Sequence, residues 1–504
     1  MSVTKDSIAG KCFCEIRDMA EALNQLVEEA ARTGKPLYEI ERGVLDQVLR
    51  MGRRALDGVL QLQGDGDLGP TCCTAEGVTL RRSAAPQSRR VRTIFGEHSF
   101  VQFVYSRGAH RALELRPIDA RLALSPRIGS YLLEEFSQLF CVEAAFGTAA
   151  ENFATVFRQE LSVDTLEAIS QQMGVAAKTY ADELPVPPPA EEGDLLVATM
   201  DGKGVPLIQE RPVKVKAFET RRLRPGNRRM ATLAGVYSVA RHVRAPAQIV
   251  AALFRDEFPT EPAPRPKSQF KHLTVHFPET YEDGDQQVTS TGATEACCWL
   301  ASEVAARRPA AHPLLLLIDG DHRLWETAAD HLPRDRTEIL DIVHVSGYVW
   351  EAAAVFCTSE PERAAFTRER LLTILEGGVK SVIRGLRHMA TARNLRGDDR
   401  RQITTITHYF AAHADRMCYD EYLAAGYPIA TGVIEGACRH LVKDRMERSG
   451  MRWTLAGAKA MLNIRAVLAS DHWDDFQATR REKERQTCHP HRALLNSYQP
   501  MITL

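Results

Sequence analysis

The stretch LLLLIDGDHRLW (residues 314–325) decides how the fold is interpreted, because an uninterrupted apolar run leads directly into two acidic residues. A run of this length, preceded by a proline and ended by a glycine, predicts a fully buried parallel strand. Open α/β sheets keep their active sites where such strands end, so Asp319 and Asp321 are candidate functional residues. An Asp-Gly turn that uses its acid only for turn hydrogen bonds explains the same letters. The stretch therefore predicts the strand, and the rest of the chain must decide the role of its acids.

The bulk composition is that of a globular protein. At 504 residues the chain is too long for one core, and about three domains are expected. No apolar run is long enough to cross a bilayer, and the first residues, MSVTKDSIAGKCFCEIRD, lack a signal-peptide core. The 11 cysteines are scattered without disulfide-like spacing, which suits a reducing compartment. We therefore expect a cytoplasmic protein with no membrane partner.

The net charge of −1 gives no argument for a polyanionic partner, but the basic residues are clustered. Residues 214–229 hold seven Lys and Arg against one acid, and a second basic cluster spans residues 439–452. Such local clusters bind phosphate backbones even in a neutral protein, although a solvated surface has the same composition. The candidate DNA-binding residues in the two clusters are Arg228, Arg229, Arg439, Lys443 and Arg452.

The order of patterns along the chain predicts its domains. The chain begins with helical periodicity, followed by alternation in VRTIFGEHSFVQFVYS, which predicts a short hairpin. Short helices then precede the proline-rich segment ADELPVPPPAEEGD. Strands and helices alternate after that segment, which predicts an α/β domain with helices packed on a sheet. The short helices suggest a helix-turn-helix unit for DNA, although a small helical bundle has the same pattern. The predicted segments are a helical region (1–68), a β segment (69–120), a helix-turn-helix-like segment (121–180), a linker (181–194), an α/β domain (195–475) and a C-terminal tail (476–504).

Three acids stand at the ends of predicted elements in the α/β domain. Asp201 and Asp319 each follow a predicted strand, and Glu435 lies near the start of a predicted helix. Carboxylates are hard, anionic ligands that suit Mg²⁺, and two such ions activate the attacking oxygen and stabilise the leaving oxygen of a phosphodiester. The alternative is that Asp201 forms a turn and that Glu435 only complements the helix dipole.

Four strings occur along the chain in this order: MDGKGVPL from Met200, IDGDHRLW from Ile318, DIVHVSGYVWEAAAVF from Asp341 and GVIEGACRHLVKDRMERSGMRW from Gly432. Together they resemble the DDE transposases of bacterial insertion sequences, specifically the ISKra group, which is similar in catalytic layout to Mutator-like and hAT transposases. The resemblance covers roughly residues 75–475. It implies a ribonuclease H-like catalytic domain with an all-helical insertion at about residues 347–425.

The resemblance also implies roles for individual residues. Asp201, Asp319 and Glu435 correspond to the catalytic metal ligands, which hold Mg²⁺ or Mn²⁺, expected as two ions. Asp321 is then expected to be a turn or helix-capping residue. In the string DIVH, Asp341 and His344 match an acid and a histidine on the last strand of the family. His344 is expected to orient DNA or a neighbouring side chain rather than to move protons, and a purely structural histidine is the alternative. On a regular helix Arg439 and Lys443 share the face of Glu435, and Arg439 is open to a simple salt bridge with that residue.

One family feature is missing from this chain. Members commonly carry a four-cysteine zinc ribbon, but here only the adjacent Cys72 and Cys73 remain. Tetrahedral zinc needs four ligands at workable spacing. We therefore expect a degenerate β ribbon without structural zinc.

The function implied is cleavage of phosphodiester bonds at the ends of an insertion sequence and transfer of the freed 3′-hydroxyl to target DNA. By analogy the protein acts on DNA as a homodimer or larger assembly, close to the nucleoid. Two alternatives stay open: a metal-dependent nuclease of the same fold without strand transfer, and a transposase-derived DNA-binding protein that has lost catalysis.

Overall fold

The computed structural model describes residues 8–108, 111–208, 228–256, 264–283, 286–308, 312–448 and 451–500. These residues fall into two units, one of Met1–Ala176 with Asp474–Leu504 and the other of Ala177–Trp473. Both helices and sheets are present, so the prediction of a mixed α/β protein is confirmed at that level. In the described part of the chain, no helix is long and apolar enough to cross a membrane.

Helices make up most of the regular structure. In chain order they are α1 (Ile8–Thr33), α2 (Leu37–Leu62), α3 (Pro117–Leu122), α4 (Tyr131–Glu143), α5 (Phe146–Phe157), α6 (Val163–Asp182), α7 (Pro246–Phe254), α8 (Gly292–Arg307), α9 (His322–His331), α10 (Ile342–Phe356), α11 (Glu360–Leu375), α12 (Val379–Ala392), α13 (Gly397–Ala412), α14 (Tyr419–Ala424), α15 (Gly432–Ala437), α16 (Asp444–Met446), α17 (Leu455–Ala469) and α18 (Trp473–Cys488). A π-helical turn, Cys438–Lys443, joins α15 to α16.

The strands are mostly short. They are β1 (Thr71–Cys73), β2 (Thr79–Arg82), β3 (Gln87–Thr93), β4 (Gly96–Gln102), β5 (Tyr105–Ser106), β6 (Leu113–Leu115), β7 (Leu195–Pro206), β8 (Arg228–Val239), β9 (Gln269–His276), β10 (Glu279–Asp283), β11 (Gln286–Ser290), β12 (Leu314–Ile318) and β13 (Thr337–Leu340).

A five-stranded sheet organises the second unit, with strand order β13-β12-β7-β8-β9. The strands β7, β8 and β9 pair antiparallel, whereas β12 and β13 run parallel to β7. All five residues of β12 are buried, which confirms the strand predicted from the apolar run at residues 314–318. Apolar side chains of β7 and of the helices α8 and α10 join β12 in one large core.

A block of helices, α10–α14, separates β13 from α15 and packs on the same core. It corresponds to the helical segment predicted at about residues 347–425, but it begins at Ile342. The earlier start has a local cause, because Asp341 ends the strand and caps the helix.

The first unit begins with the helices α1 and α2, which pack against each other. The alternating pattern that predicted a β hairpin is confirmed, since β3 and β4 pair antiparallel and successive residues of β4 alternate between buried and exposed. Cys72 and Cys73 lie on β1, which pairs with β2 in a separate small sheet. The absence of structural zinc stays a prediction.

Three helices, α4, α5 and α6, occupy the segment that was predicted to be helix-turn-helix-like. Phe136 and Phe140 of α4 contact aromatic side chains of α5, including Phe153 and Phe157. A DNA-binding unit and a small helical bundle both have such packing, so the DNA-binding role of this segment stays a prediction.

The segment that was predicted to be a C-terminal tail, residues 476–504, is grouped with the first unit. Helix α18 carries the charge-rich string WDDFQATRREKERQTC, a composition typical of a solvated helix. One of its charges is nevertheless buried: the guanidinium of Arg480 pairs with the carboxylate of Glu134 on α4, and both side chains are at most 3% exposed. Burial of a paired charge cannot be read from composition, so no pattern in the sequence predicted this ion pair.

Candidate active site

Asp201 and Asp319 lie side by side at the centre of the sheet. In the parallel pairing of β12 with β7, Ile318 stands opposite Met200, so the next residue on each chain is one of the two acids. Adjacent strands are about 4.8 Å apart, which brings the two carboxylates into mutual reach. Burial raises the pKa of Asp319, and the negative charge of Asp201 raises it further. The structure thus brings together the first two predicted ligands.

The environment of Asp201 differs from the prediction in one respect. The strand β7 does not end at Asp201 but continues to Pro206, with Asp201 paired to Leu233 of β8. The antiparallel partner supplies hydrogen bonds beyond the acid, so Asp201-Gly202 is extended chain and not a turn. The alternative prediction, that Asp201 only forms a turn, is therefore wrong.

The turn after β12 holds Asp319 in a defined orientation. Its carboxylate Oδ1 accepts a hydrogen bond from the backbone N–H of Asp321 at 3.0 Å, and its carbonyl accepts one from Trp325 Nε1 at 2.7 Å. Asp321 caps α9, since its side chain accepts from the backbone N–H of Arg323 at 2.9 Å. The prediction that Asp321 is a helix cap is confirmed, and Asp319 is the acid that faces Asp201.

Asp341 and His344 were predicted on the last strand, and this is wrong. The strand β13 ends at Leu340, Asp341 is the N-cap of α10 and His344 lies in its first turn. The letters EILDIVHV favour a strand because the run is short and apolar, but the Asp341 carboxylate accepts from the backbone N–H of Val343 at 3.0 Å and starts a helix.

The fully buried Asp341 joins two elements of the site. Its Oδ2 accepts hydrogen bonds from His344 Nδ1 at 3.0 Å and from Thr431 Oγ1 at 2.6 Å. Thr431 is the residue that precedes α15, the helix of Glu435. The hydrogen bond to Asp341 raises the pKa of His344 to about 9 despite its partial burial. The imidazolium is therefore charged at neutral pH, and its Nε2 lies 3.9 Å from Asp319 Oδ2.

Glu435 lies on α15 as predicted, but its side chain is exposed. Its negative charge contributes to the raised pKa of His344, which places it within electrostatic reach of the site. Among the residues that the structure describes, no three His, Cys, Asp or Glu side chains form a group with ligand geometry. The structure thus assembles Asp201 and Asp319 and leaves Glu435 outside a ligand set.

The helix of Glu435 widens into the π-helical turn, which the sequence did not predict. Hydrogen bonds in such a turn run from i to i+5, so the helix between Cys438 and Lys443 is wider than the regular helix that was predicted. The buried Arg465 of α17 donates from Nε to the carbonyl of Leu441 at 2.9 Å, and also reaches the carbonyl of His440. A buried guanidinium thus holds the carbonyls of the widened turn.

Cys438 is a site residue that sequence reasoning missed. Burial raises the pKa of its thiol, and so do the charge of the Asp201 carboxylate and a hydrogen bond with it. The thiol is therefore protonated at neutral pH and able to donate to Asp201. Its position three residues after Glu435 in one helix was the available signal.

The predicted DNA-binding residues have different surroundings. Arg229, Arg439, Lys443 and Arg452 are exposed, whereas Arg228 pairs with Glu447. Within the described part of the chain, Arg439 makes no ion pair with Glu435, so the simple salt bridge is absent there. Most of the first basic cluster, residues 214–224, lies outside the described residues.

Tyr409 of α13 brings the helical block to the turn that follows β12. Its ring packs at a tilt against that of Tyr348, with centroids 4.2 Å apart, and its hydroxyl lies against Gly320. A methyl group at Gly320 would be 2.1 Å from the Tyr409 hydroxyl oxygen. No local signal in the sequence connects these two residues, which are 89 positions apart.

We expect Gly320→Ala to lower the free energy of unfolding by about 1–3 kcal/mol, because the ring of Tyr409 must move to admit the methyl group. In a Tyr409→Ala background the same change should cost less than about 0.5 kcal/mol. Chemical denaturation of the four proteins in this cycle measures the coupling. An equal cost of Gly320→Ala in both backgrounds would contradict the contact.

Comparison with known proteins adds no family assignment. No protein-family model matches the chain, and no curated protein matches it.

Proposed function

We propose that this protein is a DDE transposase, a ribonuclease H-like enzyme that cuts DNA at the ends of an insertion sequence and joins the freed 3′-hydroxyl to target DNA. The observation that carries the proposal is that Asp201 and Asp319 directly follow a pair of opposite residues on neighbouring parallel strands, so the two acids lie next to each other. The mixed five-stranded sheet is compatible with a ribonuclease H-like domain. The helical block between β13 and the helix of Glu435 agrees with the insertion that the family resemblance implies.

The two paired acids fit a divalent cation. Their oxygens are the hard ligands that Mg²⁺ and Mn²⁺ prefer. Burial and the charge of Asp201 raise the pKa of Asp319, and a cation held by these carboxylates would offset the repulsion between them. Asp201 and Asp319 would hold the metal, with Glu435 as a further ligand on the strength of the resemblance. Metal ions bound there activate the attacking oxygen and stabilise the leaving oxygen of the phosphodiester.

Two further side chains are proposed to orient the substrate and the acids. Asp341 holds Nδ1 of His344, so that Nε2 is directed to the side of Asp319 and is placed to donate to a DNA phosphate. Cys438 donates a hydrogen bond to the Asp201 carboxylate and orients it toward α15, the helix of Glu435. In this proposal neither side chain moves a proton in the reaction.

The partners follow from the reaction. The substrate is double-stranded DNA with the terminal repeats of the element, and the acceptor is a target DNA. Joining two ends requires two active sites, so we propose a homodimer or larger assembly on DNA.

The test uses linear DNA that carries the segments flanking the protein's own coding sequence, incubated with Mg²⁺ or with a chelator. We expect metal-dependent nicks at the ends and joined products on a second DNA. Nicks without joining would instead support a nuclease, and specific binding without nicks would support a transposase-derived DNA-binding protein.

A further inference from the structure

Helix α12 presents a basic face that the proposed active site does not use. Its apolar residues, Val382, Ile383 and Leu386 among them, are buried against the helical block. On the opposite side four residues are exposed, and we call them the α12 basic face: Lys380, Arg384, Arg387 and His388. Their spacing of three, four and eight residues places them on one side of the helix.

The charges on this face repel one another. Lys380 and Arg384 are four residues apart and Arg384 and Arg387 are three apart, and α12 contains no acidic residue. Like charges at these spacings destabilise a helix, whereas solvated helices usually alternate the sign of their charges. Within the part of the chain that the structure describes, Lys380, Arg384 and Arg387 form no ion pair.

The neighbouring helix α11 shows the usual arrangement. Arg368 pairs with Asp256, with both guanidinium nitrogens bonded to the carboxylate, and Arg370 pairs with Glu369. These two cations of α11 are therefore neutralised by carboxylates of the protein, whereas those of the α12 basic face are left for an anion outside it.

Helix α12 packs beside α13, and α13 reaches the candidate active site. Thr391, one turn beyond His388, accepts a hydrogen bond from Arg400 of α13 at 3.4 Å. The same helix carries Tyr409 against Gly320. Nine residues of helix separate Arg400 from Tyr409, which corresponds to about 13 Å, or about four base pairs of duplex. The helix that packs beside the α12 basic face therefore also contacts the turn that contains Gly320.

We propose that the α12 basic face binds the phosphate backbone of duplex DNA that enters the site of Asp201 and Asp319. The identity of the DNA as substrate rests on the proposed function, but binding to the face does not require cleavage. The face is about 12 Å long from Lys380 to His388, the length of about four successive phosphates on one strand. Contacts of this kind are independent of base sequence.

Salt dependence of binding tests the proposal. A fluorescently labelled 30-base-pair duplex is titrated with the full chain at several salt concentrations, and the slope of log affinity against log salt is measured. We expect Arg384→Gln with Arg387→Gln to reduce the magnitude of this slope by about 1.8, because each lost phosphate contact removes about 0.9. The double Lys variant, R384K/R387K, should keep the wild-type slope.

The matched control is Arg368→Gln, which removes one exposed positive charge from the adjacent helix. The salt-dependence slope of this variant should equal that of the wild type, because Arg368 already pairs with Asp256 and is not expected to bind a phosphate. A wild-type slope in the double Gln variant would contradict DNA binding by the α12 basic face, even if the protein cuts DNA. A reduced slope in a protein that cuts no DNA would support the face and count against the proposed cleavage. Binding of the face to anionic lipid vesicles in place of duplex DNA would also overturn it.

Discussion

Asp319→Asn is expected to lower metal-dependent DNA cleavage by at least about 10³-fold, or about 4 kcal/mol in the barrier. The amide has nearly the shape of the carboxylate but no negative charge, so one of the two paired anionic ligands is lost. The fold should persist, because the amide oxygen can still accept the hydrogen bond from the Asp321 backbone. Removal of the repulsion from Asp201 also works against any loss of stability. The rate of nicking on end-bearing DNA with Mg²⁺ measures the effect.

Asp321→Asn is the matched control, two residues away. Asn is about as good an N-cap as Asp, so α9 should keep its start and most of the cleavage should remain. Equal unfolding temperatures of the two variants would show that the difference lies in the chemistry. Loss of cleavage in Asp321→Asn, with cleavage intact in Asp319→Asn, would reverse the assignment of the second ligand.

Arg480→Met is expected to lower the free energy of unfolding of the first unit by about 3–5 kcal/mol. Arg480 and Glu134 are 3% and 1% exposed, so the substitution removes a buried partner of a buried carboxylate. Arg127 also pairs with Glu134, at 2.6 Å, so the charge of Glu134 stays partly compensated in the variant. Chemical denaturation followed by a probe in the first unit measures the loss.

The next residue, Arg481, offers a control on the same helix. It is 43% exposed and pairs with Glu135 at 3.2 Å, and an exposed ion pair contributes at most about 1 kcal/mol. Arg481→Met should therefore be nearly neutral. A double replacement of Glu134 by Leu and Arg480 by Met should recover much of the lost stability, since neither buried charge remains. Equal losses for Arg480→Met and Arg481→Met would contradict the burial of the pair.

The features predicted correctly are those that a few consecutive residues determine. The apolar run at residues 314–318 is a buried strand, Asp321 caps the helix that follows, and the alternating string at residues 91–106 contains most of a hairpin. In each case the structure is decided either by the spacing of apolar residues along the segment or by a side chain's hydrogen bond to nearby backbone. The two acids at the strand edge were identified for the same reason.

The features that were missed depend on partners far along the chain. The strand β7 passes Asp201 because β8 pairs with it, and His344 lies on a helix because Asp341 both caps α10 and accepts from Thr431. The contact of Tyr409 with Gly320 and the burial of Arg480 join residues that only the folded chain brings together.

The sequence by itself therefore determined the local elements and the positions of the candidate acids, because short-range periodicity and capping are written in neighbouring residues. Only the tertiary structure decided which acids meet. Asp201 and Asp319 lie together because of the register between β7 and β12. Glu435 is exposed on a helix that continues into a π-helical turn, and Arg465 donates a hydrogen bond to a backbone carbonyl of that turn. Register and buried charge pairing are properties of long-range packing, which no single segment of the chain encodes.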